Sequence, residues 1–176
     1  MEPATAATAS SIAKASTPKS IYEIPLPAGY KRMQMEEGSF GKWLQQIKLR
    51  NNNTVYLYNG NPKPDQTLHY AVLDLSTGNK DLQQCADAIM RLKAEYYFSK
   101  NEFDSISFPS ANKTFNFQQW LNKSNTAQKD QHVLLLQFME KVFINCGTYT
   151  VDEMTKPINM QSIQPGDVFV KAGSPG

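Results

Sequence analysis

The stretch DLQQCADAIMRLKAEYY, residues 81–97, decides how the chain is read. Leu82, Cys85, Ala86, Ile89, Met90, Leu92, Lys93 and Tyr96 recur near a period of 3.6, which predicts a long amphipathic helix over 80–99. Gln83, Gln84, Asp87, Arg91 and Glu95 fall on its other faces. Asp87–Arg91 and Arg91–Glu95 are opposite charges four residues apart, a spacing that brings side chains together on a helix. Cys85 lies on the apolar stripe, about a turn and a half into the expected helix. Free cysteine is among the most buried residue types, whereas a thiol at a helix N-terminus is biased towards the nucleophilic thiolate. The residues alone leave both readings of Cys85 open.

Outward from this helix, 38–49 reads as a short helix capped by Ser39, with Phe40, Trp43, Leu44 and Ile47 on one face. Segments 54–58 and 67–75 read as strands of a hairpin around Asn59-Gly60, and 103–110 as a further strand. Residues 114–121 read as helical or extended. A strong helix runs from 130 to about 145 with Leu134, Phe138, Val142 and Cys146 on one side and Gly147 as its C-cap. Pro165-Gly166 turns into a strand at 167–171. The expected class is α+β, helices packed on a mostly antiparallel sheet. Residues 1–21, rich in Ala, Ser and Thr, are expected to be a disordered tail before a single domain at 22–176.

The 176 residues suffice for one domain with a real core. A net charge of +2 with scattered basic residues argues against nucleic acid as a partner. No run of apolar residues is long enough for a transmembrane helix, and the start lacks the pattern of a secretory signal. The two cysteines, 61 residues apart, form no disulfide framework. His69 and His132 have no Cys or carboxylate at metal-ligand spacing, so neither a metal nor a cofactor is expected. His69 reads as a structural residue, His132 as solvated, Cys146 as packing, and Tyr96, Tyr97, Phe98, Phe115, Phe117 and Trp120 as core.

IQPGDVFVKAGSPG, residues 163–176, resembles the Pro-Gly-Asp strand of NlpC-type papain-like cysteine peptidases. More closely, the chain resembles an uncharacterised family of bacterial cell-envelope proteins, a domain of unknown function. The matching positions are Pro27, Gly29, Tyr30 and Arg32, then Asp81 to Ala88, then Arg91, Leu92, Ala94, Glu95 and Tyr96, and finally Gly166 to Phe169 with Gly173, Pro175 and Gly176. The NlpC-type resemblance implies a papain-like scaffold in which Cys85 is the nucleophile. The partner histidine is expected beyond Gly176, making the given chain a truncated, inactive form. It also favours a buried network of Asp87, Arg91 and Glu95. Gln84, Asp87 and Arg91 in the helix, with Asp167 in the strand, are the candidate binding residues. The implied activity is amide hydrolysis of cell-wall (peptidoglycan) peptide or another envelope component, in the envelope or periplasm. The alternative is a non-catalytic binding or structural domain with Cys85 buried. Oligomeric state is not legible.

Overall fold

The computed structural model describes residues 17–124 and 130–173. In chain order these form helix α1 (Phe40–Gln46), helix α2 (Cys85–Ser99), strands β1 (Ser107–Ser110) and β2 (Lys113–Asn116), and helices α3 (Phe117–Lys123), α4 (Gln131–Asn145) and α5 (Thr148–Met154). Single 3-10 turns lie at Ile21–Glu23, Phe103–Ser105 and Met160–Ser162. The class is α+β, but the one regular sheet among the described residues is the antiparallel hairpin β1–β2, with Phe108 opposite Phe115.

Helix α2 is central. From Ala86 to Phe98 none of its residues is exposed. Asp87, Met90, Arg91, Ala94 and Glu95 are its most buried positions, a face at i, i+3, i+4, i+7 and i+8. The buried face is therefore rotated from the expected apolar stripe. Neighbours sheathe the helix all round, so apolarity alone does not select one side. Ala94 is small enough to let other elements approach closely, and the charges beside it must find partners inside.

The core joins Met90 and Ala94 of α2 to Ile106, Phe108, Phe117, Leu134, Leu135, Phe138, Met139, Val142 and Val151. Aromatic rings bind its layers: Phe117 lies 5.3 Å from Phe138, and Phe103 lies 5.5 Å from Phe117, between ring centres. Such contacts add about 0.5–1.5 kcal/mol each beyond area burial. Leu134, Phe138 and Val142 face inward as their spacing predicts. Gly147 does not close α4. Cys146 is the C-cap, and Gly147 instead starts α5, a helix the sequence reading omitted. The stretch 114–121 turns out to be both alternatives in succession, β2 and then α3, with the Asn116 side chain accepting the Gln119 N–H at 2.9 Å.

Helix α1 is capped as expected, Ser39 Oγ accepting the Lys42 N–H at 3.2 Å. Phe40 and Trp43 clamp it edge-on to Tyr96 of α2. The expected hairpin of 54–58 with 67–75 is absent. Only isolated bridges form, Leu49 with Leu73 and Tyr56 with Pro62. Proline has no N–H to extend a ladder. The Gln66 side chain instead occupies both backbone groups of Val55, at 3.0 Å each, as a strand would. Leu49 is also held by the Lys19 carbonyl at 2.8 Å, so the body reaches into the segment expected to be tail. The rest of that tail, residues 1–16, lies outside the described residues.

The expected strand 167–171 pairs with no other strand among the described residues; its Asp167 N–H bonds only back across the turn, to the Gln164 carbonyl at 3.1 Å. Its turn is firmly seated. Gly166 has φ +106°, and a Cβ there would meet the Phe40 ring at 2.9 Å. The loop residues Ser174, Pro175 and Gly176 lie outside the described residues.

Candidate functional site

Helix α2 starts at Cys85, five residues later than the spacing predicts. The cause is a cap. Gln84 is extended, and Asp87 Oδ2 accepts the Gln84 N–H at 3.1 Å, one arm of a capping box. Cys85 is thus the first helical residue, not one placed a turn and a half inside, and its side chain is exposed, not buried. The Gln84 and Asp87 N–H groups are taken up by this cap, which leaves those of Cys85 and Ala86 without a carbonyl four residues back to bond.

Asp87 is 8% exposed, and its Oδ1 has no hydrogen-bond partner among the described residues. Burial pushes its carboxyl above the usual carboxylate range, against the bonds from the Gln84 and Asp87 N–H groups. Because Asp87 bends back to cap the helix, the expected Asp87–Arg91 pair does not form. Cys146 is half-buried near it. Its Sγ lies 3.7 Å from the Pro109 carbonyl, which also accepts from Thr150 Oγ1 at 2.9 Å. Burial raises the Cys146 thiol, and the nearby Asp87 charge adds to the effect.

Arg91 and Glu95 do pair. Arg91 Nε donates to Glu95 Oε1 at 2.8 Å, and its Nη1 donates to the Ser76 carbonyl at 2.9 Å. His132, expected to be solvated, is half-exposed and anchored. Its Nε2 lies 2.9 and 3.0 Å from the two Glu95 oxygens, and its ring meets Phe98 edge-on. This link from α4 to α2 was missed. The signal for it was the 87-91-95 spacing interleaved with Met90 and Ala94, which puts the charges on a packed face. Lys93, whose ammonium lies over Phe108 at 5.6 Å, was also missed as a half-buried group. Burial lowers its pKa.

The predicted site residues are only partly brought together. Gln84, Cys85 and Asp87 share the mouth of α2. Arg91 lies further along, committed to Glu95 and Ser76. Asp167 is apart from them. Its Oδ2 accepts the Gln164 N–H at 2.7 Å and holds the turn before 167–171. Asp167 also lines a groove of 470 Å³ with Asp152, Thr155, Ile158 and Phe169, which Cys85 does not line. His132 binds Glu95, ten residues and about 15 Å along the helix from Cys85. His69 Nε2 contacts the Asn53 carbonyl at 2.7 Å. Neither histidine is bonded to Cys85 among the described residues. Nor, among these residues, does any group of three or more His, Cys, Asp or Glu form a metal site.

Residues 21–176 match the family described as domain of unknown function (4846). The chain belongs to this family. Among curated proteins and solved structures, nothing matches it. Membership agrees with the arrangement of the body, since the matched stretch spans α1 to α5 and the C-terminal turn. Among the described residues, no helix is long and apolar enough to cross a membrane.

Proposed function

We propose that this domain is the nucleophile-bearing part of a papain-like cysteine amidase or peptidase, with Cys85 as the attacking group. The observation that carries this reading is the position of Cys85, exposed at the first residue of a capped, 15-residue central helix. The thiolate adds to the amide carbonyl carbon, forming a C–S bond. The N–H groups of Cys85 and Ala86, left over by the cap, hold the resulting oxyanion. The C–N bond then breaks, the leaving nitrogen takes a proton from an imidazolium, and water hydrolyses the thioester. In this reading the imidazole comes from a histidine other than His69 and His132, neither of which is bonded to Cys85. The substrate is a cell-envelope peptide amide, peptidoglycan peptide above all, and the setting is the bacterial envelope or periplasm. Gln84 and Asp87 frame the nucleophile, whereas Asp167, committed to its own turn and to a groove that Cys85 does not line, takes no part in it. The non-catalytic alternative that buries Cys85 is disfavoured by the exposed thiol.

The test is alkylation of native protein by limiting iodoacetamide, followed by peptide mapping. Cys85 is expected to react at least about tenfold faster than Cys146, whose thiol is half-buried and raised. Protein carrying any residues that follow Gly176 should also release amine from peptidoglycan stem peptides, and Cys85→Ser should abolish that release. Equal labelling of the two cysteines, or hydrolysis that survives Cys85→Ser, rejects the reading.

A further inference from the structure

The irregular segment 49–71 contains a groove that no role above uses. Its volume is 270 Å³; Leu49, Arg50, Asn51, Asn53, Tyr70 and Ala71 line it from this segment, and Thr17, Pro18 and Pro25 line it from the N-terminal stretch. That is just below the range of about 300–1,000 Å³ for drug-sized ligand sites, so it admits one small ring with its far edge in water. We infer that this groove binds one ring of an uncharged sugar.

Three observations point to that chemistry. First, Tyr70 is 61% exposed and lines the groove together with the apolar Leu49 and Ala71. An aromatic face carries a negative quadrupole, and the C–H bonds on one face of a pyranose present the complementary positive edge. Second, the polar groups are neutral or already compensated. Arg50 lies 3.7 Å from the Asp74 carboxylate and donates to the Leu75 carbonyl at 3.4 Å. A charged ligand would meet no free counter-charge in this lining.

Third, two of the three neighbouring asparagines build the groove, leaving one to serve it. Asn52 Oδ1 accepts the Thr54 N–H at 2.9 Å. Asn53 Nδ2 donates to the Tyr70 carbonyl at 3.0 Å, and its own carbonyl meets His69 Nε2 at 2.7 Å, so one rim is tied to the other. The Arg50 N–H adds a bond to the Val72 carbonyl at 2.8 Å. Asn51 is exposed, lines the groove, and makes no side-chain hydrogen bond among the described residues. An amide offers both donors and an acceptor, which matches a pair of adjacent hydroxyls that each donate and accept. The cross-ties fix this loop without a ladder, which lowers the ordering cost of binding.

The experiment is saturation-transfer NMR on the whole chain with maltose, cellobiose and N,N′-diacetylchitobiose, each at about 10 mM, a range that detects the millimolar affinities of single-ring sites. At least one disaccharide is expected to receive saturation on one ring. Tyr70→Ala should weaken binding about tenfold, and Asn51→Ala about threefold, with Tyr70→Phe within about twofold of the parent. The Tyr70 ring and the Asn51 amide face solvent, so unfolding midpoints should be unchanged, which separates lost binding from lost fold. No transfer to any of the three sugars overturns the inference. So does binding indifferent to Tyr70→Ala, or a proline-rich peptide that binds while the sugars do not.

Discussion

At the scale of single residues, position in the helix matters more than residue type. Cys85 and Asp87 are two residues apart, yet one is exposed and the other almost wholly buried. The bend that lets Asp87 cap Gln84 causes both outcomes. It stops the helix from starting earlier, and it draws a carboxylate beneath the first turn. Burial raises the Asp87 pKa in the folded state above its unfolded value of about 3.9. Below that unfolded value the group is protonated in both states and costs nothing. As pH rises through the unfolded and then the folded pKa, the buried carboxylate ionises and stability is lost. Asp87→Asn has no such titration, and its side-chain oxygen can still accept the Gln84 N–H. Its stability relative to the parent should therefore improve steadily as pH rises from about 3 to about 7. Urea unfolding of both proteins across that range measures the difference. A gap that is flat, or that narrows with pH, contradicts the assignment.

At the scale of elements, α2 and α4 were legible because 15 residues give a 3.6 period enough turns to show itself. The face that α2 buries was not legible. A helix surrounded on all sides answers to its neighbours, and its apolar stripe ceases to be the guide. The hairpin expected at 54–58 and 67–75 failed for a different reason. Alternating apolar residues were present, but Pro62 and the Gln66 side chain took the pairing a second strand would have had. Cys85 could be singled out from its residue type and helix, whereas its exposure depended on a cap formed by Gln84, an unusual N-cap residue. The Arg91–Glu95–His132 chain shows what a central helix requires: its buried charges are joined to each other and to α4. Glu95→Ala leaves Arg91 buried with only carbonyl and amide partners, and should cost about 3–5 kcal/mol. Replacing both partners, as Arg91→Met with Glu95→Leu, should cost clearly less than the single change, because no uncompensated charge remains. Chemical denaturation of the three proteins provides the comparison. A double variant as unstable as Glu95→Ala, or worse, would show that the pair stabilises the fold beyond mutual compensation.

At the scale of the whole molecule, stability is unevenly placed. The helical body carries the continuous aromatic and aliphatic core, from Met90 and Ala94 through Phe117 to Val142. The segment before it is joined by isolated bridges, side-chain bonds and the clamp of Phe40 and Trp43 on Tyr96. The C-terminal turn rests on that same α1 surface through Gly166. Helix α1 is therefore the shared support of two otherwise thinly attached segments, while α2 and α4 hold the core without it. Local opening follows the density of buried contacts and paired backbone. Native-state hydrogen exchange should thus rank amides in three tiers: slowest at Met90, Ala94, Leu135 and Phe138, intermediate in α1, and fastest across 51–70. Gly166→Ala gives the decisive version of this test. The left-handed φ and the contact with Phe40 both oppose a methyl group there, at a cost on the order of 1–3 kcal/mol. If α1 is the shared support, that substitution should speed exchange in α1 and its attached segments while the core amides of α4 keep their protection. Equal acceleration of α4 would mean that the molecule opens as one cooperative unit, and that the core depends on its periphery.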